Sequence, residues 1–326
     1  MKRSLFTLVI LYSVIFGAVT LSAQDAPIRA VATFSILGDL VQTVAADHVQ
    51  LTILVGADAD SHVYEPSPQD AIALSEADII FENGLGFESW LDELVEASGS
   101  DAVRVVVSAG IAPLAFAEGE HEDHEDADHP DEATPEATHE AGDHDEDEHG
   151  ESDPHVWHDP NNAIVMVANI RDALTAIDPA HSDEFAANAE ALVAELTALD
   201  TTIRAQVALI PEANRILVTS HDTFGYFADE YGFAVETVLG AISTDAADPG
   251  AGELAELIGH IQESGVPAIF TENISNPDLL ERVASEAGVT VAPSLYTDAL
   301  GEAGTPGATF LGMLRYNIDT ITQALR

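Results

Sequence analysis

The sequence predicts an α/β protein: two parallel-sheet lobes joined by one long backbone helix. Three observations carry this expectation. Short apolar runs alternate with amphipathic stretches between Ile28 and Val107. The same rhythm resumes from Arg215 to Leu325, and between the two halves Ser182 to Leu209 keeps helical periodicity without a break. Strands alternating with helices make parallel sheets, because a parallel crossover needs the length a helix supplies.

The elements follow in order. Ile28–Phe34 (IRAVATF) is a buried-strand run, and Ser35 is expected to cap a helix, SILGDLVQTVAA, with Ile36, Leu40 and Val44 on one face. Val49–Val55 is a second strand and leads into the loop GADADSHVYEPSP. Pro68 opens a helix through Ala77, Ile79–Glu82 is a strand, Gly86–Ala97 a helix, and Val103–Val107 a fourth strand. Pro160 sits in the first turn of a helix reaching Ile177. In the long helix, Phe185, Leu192, Leu196, Leu199, Ile203 and Val207 fall at helical spacings. Asp183 and Glu184 suit its first turn, and Pro211 stops it. At ~1.5 Å per residue it spans roughly 40 Å, more than one small lobe needs. Beyond it, strands are expected at Arg215–Thr219, Phe233–Val238, Ala268–Thr271 and Val289–Ala292. Helices are expected at Thr223–Tyr231, Gly252–Glu263, Pro277–Ala287 and Phe310–Leu325. The expected division is a leader at 1–23, an N-terminal lobe at 24–181, a linking helix at 182–209 and a C-terminal lobe at 210–326.

The leader, Met1–Ala23, has a basic start at Lys2 and Arg3, an apolar middle and small residues at its end, the pattern of a cleavable secretory signal. The apolar run is nearly long enough to act as an uncleaved anchor instead. The chain has no cysteine, which excludes thiolate metal ligands, disulfides and a lipid attached to a processed cysteine. A periplasmic or otherwise extracytoplasmic location follows. The formal net charge of −48 over 326 residues argues against nucleic acid and anionic membrane surfaces and favours cations as partners.

Between the halves lies EGEHEDHEDADHPDEATPEATHEAGDHDEDEHGESDPHVWHDP, residues 118 to 160. Up to Ser152 it has no aromatic or branched aliphatic residue to bury, so Glu118–Ser152 is expected to be disordered. His121, His124, His129, His139, His144 and His149 lie inside it, a metal-attracting composition.

In open parallel sheets, ligands bind beyond the carboxyl ends of strands. His62 follows the second strand, His221 follows RILVTS, and Asp298 lies in SLYTDALG after VTVAP. Taken singly, each has an ordinary reading: a polar loop residue, a helix-start residue and a turn acid. His155, between Asp153-Pro154 and Val156-Trp157, could simply pack on the indole.

Four segments change the weighting. DSHVYEPSP (60–68), DPHVWHDP (153–160), SHDTFGYFADEYG (220–232) and SLYTDALGEAG (294–304) together resemble the metal-specific solute-binding proteins of ABC importers, the zinc/manganese class. The resemblance spans nearly the whole chain after the leader. It implies two α/β lobes with a metal site in the cleft between them, and it assigns the ligands as His62, His155, His221 and Asp298. Three imidazoles and a carboxylate suit tetrahedral zinc, whereas manganese prefers more oxygen. Since an imidazole must be neutral to bind, affinity should fall as pH drops through about 6. One departure is His158, where the family has a large apolar residue. With prolines on both sides the segment is expected to be extended, turning His158 away from His155 as a non-ligand. Glu65 and Glu272 are expected to orient histidines, with a helix-cap role as the alternative for Glu65. His48, His181 and His260 are expected at the surface.

The function implied is capture of Zn²⁺ outside the cytoplasm and delivery to an ABC-importer permease with its ATPase, by a monomeric protein that is not an enzyme. Manganese delivery is the alternative within the family. A zinc hydrolase is the rival from another class, and it lacks an HExxH helix or a general base placed by motif. A surface-adhesin role is attributed to some relatives, and nothing in the residues bears on it.

Overall fold

A computed structural model describes residues 27–115, 152–239, 244 and 249–326. The leader and the acidic tract up to residue 151 lie outside the described residues. Four strands, β1 (Ile28–Phe34), β2 (Val49–Val55), β3 (Ile79–Glu82) and β4 (Val103–Val106), form one parallel sheet in the order β2-β1-β3-β4. Successive side chains of β1 serve opposite faces. Ala30, Ala32 and Phe34 join the core under α1 (Ser35–Ala45), while Val31 joins Ile80, Leu74, Leu91 and Leu94 on the other side. Both faces are covered, by α1 on one and by α2 (Pro68–Glu76) and α3 (Leu91–Ser98) on the other, so β1 reads as an unbroken apolar run.

The C-terminal lobe pairs β5 (Ile216–Thr219) with β6 (Ala234–Thr237), and β7 (Ala268–Glu272) with β8 (Thr290–Leu295), all parallel. β5 lies beside β7, so the strands run side by side in the order β6, β5, β7, β8. Helices α6 (Gly225–Tyr231), α7 (Ala251–Ser264) and α8 (Asp278–Ala287) complete the crossovers. Val218, Ile261, Ile269, Leu280 and Val283 form a core of their own.

Joining the lobes is α5, Ser182–Val207, 26 residues without glycine or proline. Its buried stripe contains Phe185, Leu192, Leu196, Leu199, Ile203 and Val207, the positions expected from periodicity, together with Ala189. The helix packs on α1, on α4 (Pro160–Ile177) and on α9 (Phe310–Leu325), so one core runs through both halves.

Local departures from expectation have tertiary causes. Ser35 does not cap α1; its Oγ accepts the N–H of Leu300, 265 residues away, tying the lobes together. The third helix begins at Leu91, not Gly86, because Gly84, Leu85 and Gly86 all have positive φ and form a turn. That turn is pinned by Glu88, which accepts from the backbone N–H groups of Asn83 and Gly84 and from Thr33 Oγ1. DPHVWHDP is not extended: Val156–His158 forms a 3₁₀ turn. Ser152, expected within the disordered tract, pairs antiparallel with Ala115.

Candidate metal centre

Each candidate side chain is fixed by its own supports. His62 sits in the loop after β2, where its N–H donates to Asp60 Oδ1 (2.9 Å). Asp60 is itself held by Thr244 Oγ1, and Trp90 Nε1 donates to the carbonyl of Ser61. The His62 ring stands edge-on to Phe87, centroids 5.1 Å apart.

His155 is fully buried. Asp153 Oδ1 accepts from its backbone N–H (2.9 Å) and lies 2.8 Å from its Nδ1. A carboxylate on Nδ1 leaves Nε2 with its lone pair toward the cleft, the tautomer a metal needs. Asp153 is in turn placed by Tyr226, whose hydroxyl donates to its carbonyl, and by Gly225, where any Cβ would collide with the Asp153 carboxylate. Trp157, one step beyond in the 3₁₀ turn, packs on Phe34 and Phe87 and donates Nε1–H to the carbonyl of Thr297. The ordinary reading of His155 also holds, since its ring meets the indole edge-on at 5.4 Å.

His221 follows β5 and is fully buried. Glu272, at the end of β7, accepts the N–H groups of Ser220 and His221 through Oε1 and sets Oε2 2.6 Å from His221 Nδ1. The last contact is a close ion pair, not an aligned hydrogen bond. Asp298, also fully buried, lies beyond β8, and its Oδ1 accepts from Thr223 Oγ1 (3.0 Å).

These supports bring the four side chains to one point. Asp298 Oδ2 is 3.1 Å from His62 Nε2 and 3.0 Å from His221 Nε2, and His155 Nε2 is 3.3 Å from His62 Nε2. The three rings form a near-equilateral triangle, with centroids 5.4, 5.4 and 5.6 Å apart. One donor atom from each of the four residues lies within 4.8 Å of all the others. Only His62 reaches solvent, its side chain 7 % exposed. Three nitrogens and one oxygen at such spacing fit a four-coordinate cation of the zinc type.

The charges answer one another. Burial pulls the His221 imidazole toward neutrality, but the Glu272 and Asp298 carboxylates outweigh it and hold His221 well above the ordinary imidazole range. Burial pushes Asp298 up, and the His221 and His155 rings more than reverse this, leaving it well below the usual carboxylate range. His221 is thus bracketed by two acids that favour its protonated form.

The remaining predicted residues sort differently. Glu272 orients His221 as expected, whereas Glu65 is exposed and contributes to neither site nor cap: the cap of α2 is Ser67 with Asp70. His158 is buried, and its Nε2 lies 3.2 Å from Thr223 Oγ1. The Thr223 proton goes to Asp298, so His158 Nε2 donates to Thr223 and the residue supports the site from behind. Burial pulls its pKa down to about 3, so it is neutral. His260 is at the surface, while His48 and His181 are half-buried and stack on each other. Two contributors were missed. Asp153 stood inside a quoted motif two residues before His155, a spacing that signals an Asx turn. Thr223 carried no signal before Asp298 was seen beside it.

The family model described as zinc-uptake complex component A, periplasmic (ZnuA), matches residues 30–324. The chain is 31% identical over 332 residues to the manganese-binding lipoprotein MntA of Halalkalibacterium halodurans, covering 100% of this chain and 99% of that protein. It is 30% identical over 326 residues to the iron-binding protein YfeA of Yersinia pestis, covering 98% and 94%. Among solved structures, the periplasmic zinc-binding protein TroA from Treponema pallidum superposes with a TM-score of 0.77 at 30% identity, covering 91% of this chain and 98% of that one.

Proposed function

The chain belongs to the zinc-uptake complex component A family, solute-binding proteins of metal ABC importers and not enzymes, and from that premise we propose that it captures Zn²⁺ and delivers it to a permease driven by an ATPase. The family acts outside the cytoplasm. The proposed route there is the leader at 1–23. Relatives carry the name lipoprotein. With no cysteine in this chain, the thiol that such a lipid would need is missing.

The observation that carries the zinc reading is the donor set: three imidazole nitrogens and Asp298, with His155, His221 and Asp298 each backed by a polar partner that fixes its orientation. All four donors come from one chain, so we propose a monomer with one cargo ion held between lobes 24–181 and 210–326. Manganese is the second reading, because the relatives named for manganese match over nearly the full chain.

Affinity alone does not separate the two, since almost any nitrogen and oxygen site ranks zinc above manganese. The deciding experiment is cargo. Cells lacking this protein should lose zinc accumulation in chelator-limited medium and keep manganese accumulation; the reverse outcome would assign manganese. On the purified protein, replacing His62, His155, His221 or Asp298 by Ala should weaken the tight site ~10-fold or more. Full affinity in His221→Ala would remove that residue from the ligand set.

A further inference from the structure

A second group of metal-type donors lies where the end of α1 meets the α4–α5 corner. It shares no residue with the cleft site. His48 closes the 3₁₀ turn after α1, Asp178 ends α4, His181 closes the turn between α4 and α5, and Glu184 stands in the first turn of α5. Residues separated by up to 136 positions meet here. His48 Nε2 lies 2.9 Å from Glu184 Oε2, and His181 Nδ1 lies 2.6 Å from Asp178 Oδ2. The two imidazoles stack with centroids 4.0 Å apart and planes inclined by 32°. Donor atoms of His48, Asp178 and His181 all lie within 4.8 Å of one another.

We propose that His48, Asp178 and His181 form a second divalent-cation site of the zinc type on the flank of the protein, with Glu184 holding the His48 ring in place. Two nitrogens and one carboxylate oxygen, with water in the fourth position, are a donor set zinc accepts, at bond lengths of about 2.0–2.2 Å. The floor beneath the rings is apolar: His48 meets buried Phe185 edge-on at 5.5 Å, and His181 meets it at 6.5 Å. Such a floor lowers the local dielectric and strengthens attraction between a cation and the carboxylates. The His181–Asp178 pair is already hydrogen-bonded, so a cation enters by replacing the shared proton and drawing the donors together. Occupancy would clamp the end of α1 to the start of α5.

The test uses the full chain with one zinc equivalent already bound, then excess zinc. Crystals grown in zinc should show an anomalous peak at the zinc absorption edge among His48, Asp178 and His181. No peak at saturating zinc would overturn the site. In titration, His48→Asn with His181→Asn should lose one equivalent, or bind it at least ~10-fold more weakly, while the first equivalent stays tight. Unchanged stoichiometry and affinities in that variant would also overturn it. If the double variant fails to fold, the anomalous map of the unaltered protein decides alone.

Discussion

Glu272 holds His221 at two levels, receiving its backbone N–H on Oε1 and facing its Nδ1 with Oε2 at 2.6 Å. One carboxylate therefore sets both the ring's position and its charge. Glu272→Gln would put an amide NH₂ against either the two backbone donors or Nδ1–H. It should weaken zinc binding by ~10–100-fold. A chelator-competition titration measures this, and an affinity within twofold of the parent would show that Glu272 has no such role.

Zinc uptake should release a proton near neutral pH. The unperturbed imidazole value placed the fall in affinity near pH 6, but Glu272 and Asp298 raise His221 well above that range. Zinc must then displace a proton already at pH 7, and affinity should drop ~10-fold for each unit of acidification below it. Calorimetry in buffers of different ionisation enthalpy counts the proton. No proton released at pH 7 would contradict the charged state assigned to His221.

His158 makes a separate prediction about the metal-free fold. Burial holds its pKa at about 3, below the ~6.5 of an unfolded histidine. Between those values the unfolded chain binds one more proton, so this residue removes ~1.4 kcal/mol of stability for each pH unit of descent. His158→Leu should flatten the stability profile below pH 6.5. Its zinc affinity at neutral pH should stay within ~3-fold, because Thr223 still donates to Asp298. Denaturant melts across pH test this; equal slopes in both proteins would refute it.

The acidic tract is flanked by paired residues. Ala115 bridges Ser152, and Asp153 N–H donates to the carbonyl of Leu114 (3.0 Å). Replacing residues 118–151 by a short Gly/Ser linker should thus leave the tight site unchanged, while several weaker zinc equivalents disappear. Extending the excision through Asp153 should cost ~10-fold in tight affinity, because His155 loses its Nδ1 partner. Loss of the tight equivalent in the shorter excision would mean that the tract supplies a ligand.

Legibility followed the range of the interactions involved. Helix α4, helix α9 and strand β3 have the bounds expected from pattern, because proline, periodicity and a short apolar run closed by Glu82 are local signals. The strand-end rule pointed to His62, His221 and Asp298, whereas His155 follows no strand and was reached only through its motif. What local pattern could not carry was tertiary competition. Ser35 is the first residue of α1, after the N-cap Phe34, and its hydroxyl accepts from Leu300, while the proline-flanked 156–158 segment coils because Trp157 must reach Thr297. His48 and His181 look like unrelated surface residues until α1 and α5 are packed together.

Helix α5 has a mechanical consequence. A pair of lobes joined by extended strands can swing when two or three residues change φ and ψ at little cost. A 26-residue helix, packed along its length and free of glycine and proline, allows only elastic bending unless backbone hydrogen bonds break. It acts as a leaf spring: small deflections, a restoring force and one resting shape. Gain and loss of the ion should then be a matter of side chains and the His62 loop rather than of gaping jaws. Small-angle scattering curves of loaded and emptied protein should superimpose, and an increase of several ångströms in radius of gyration on emptying would show that the spring gives way.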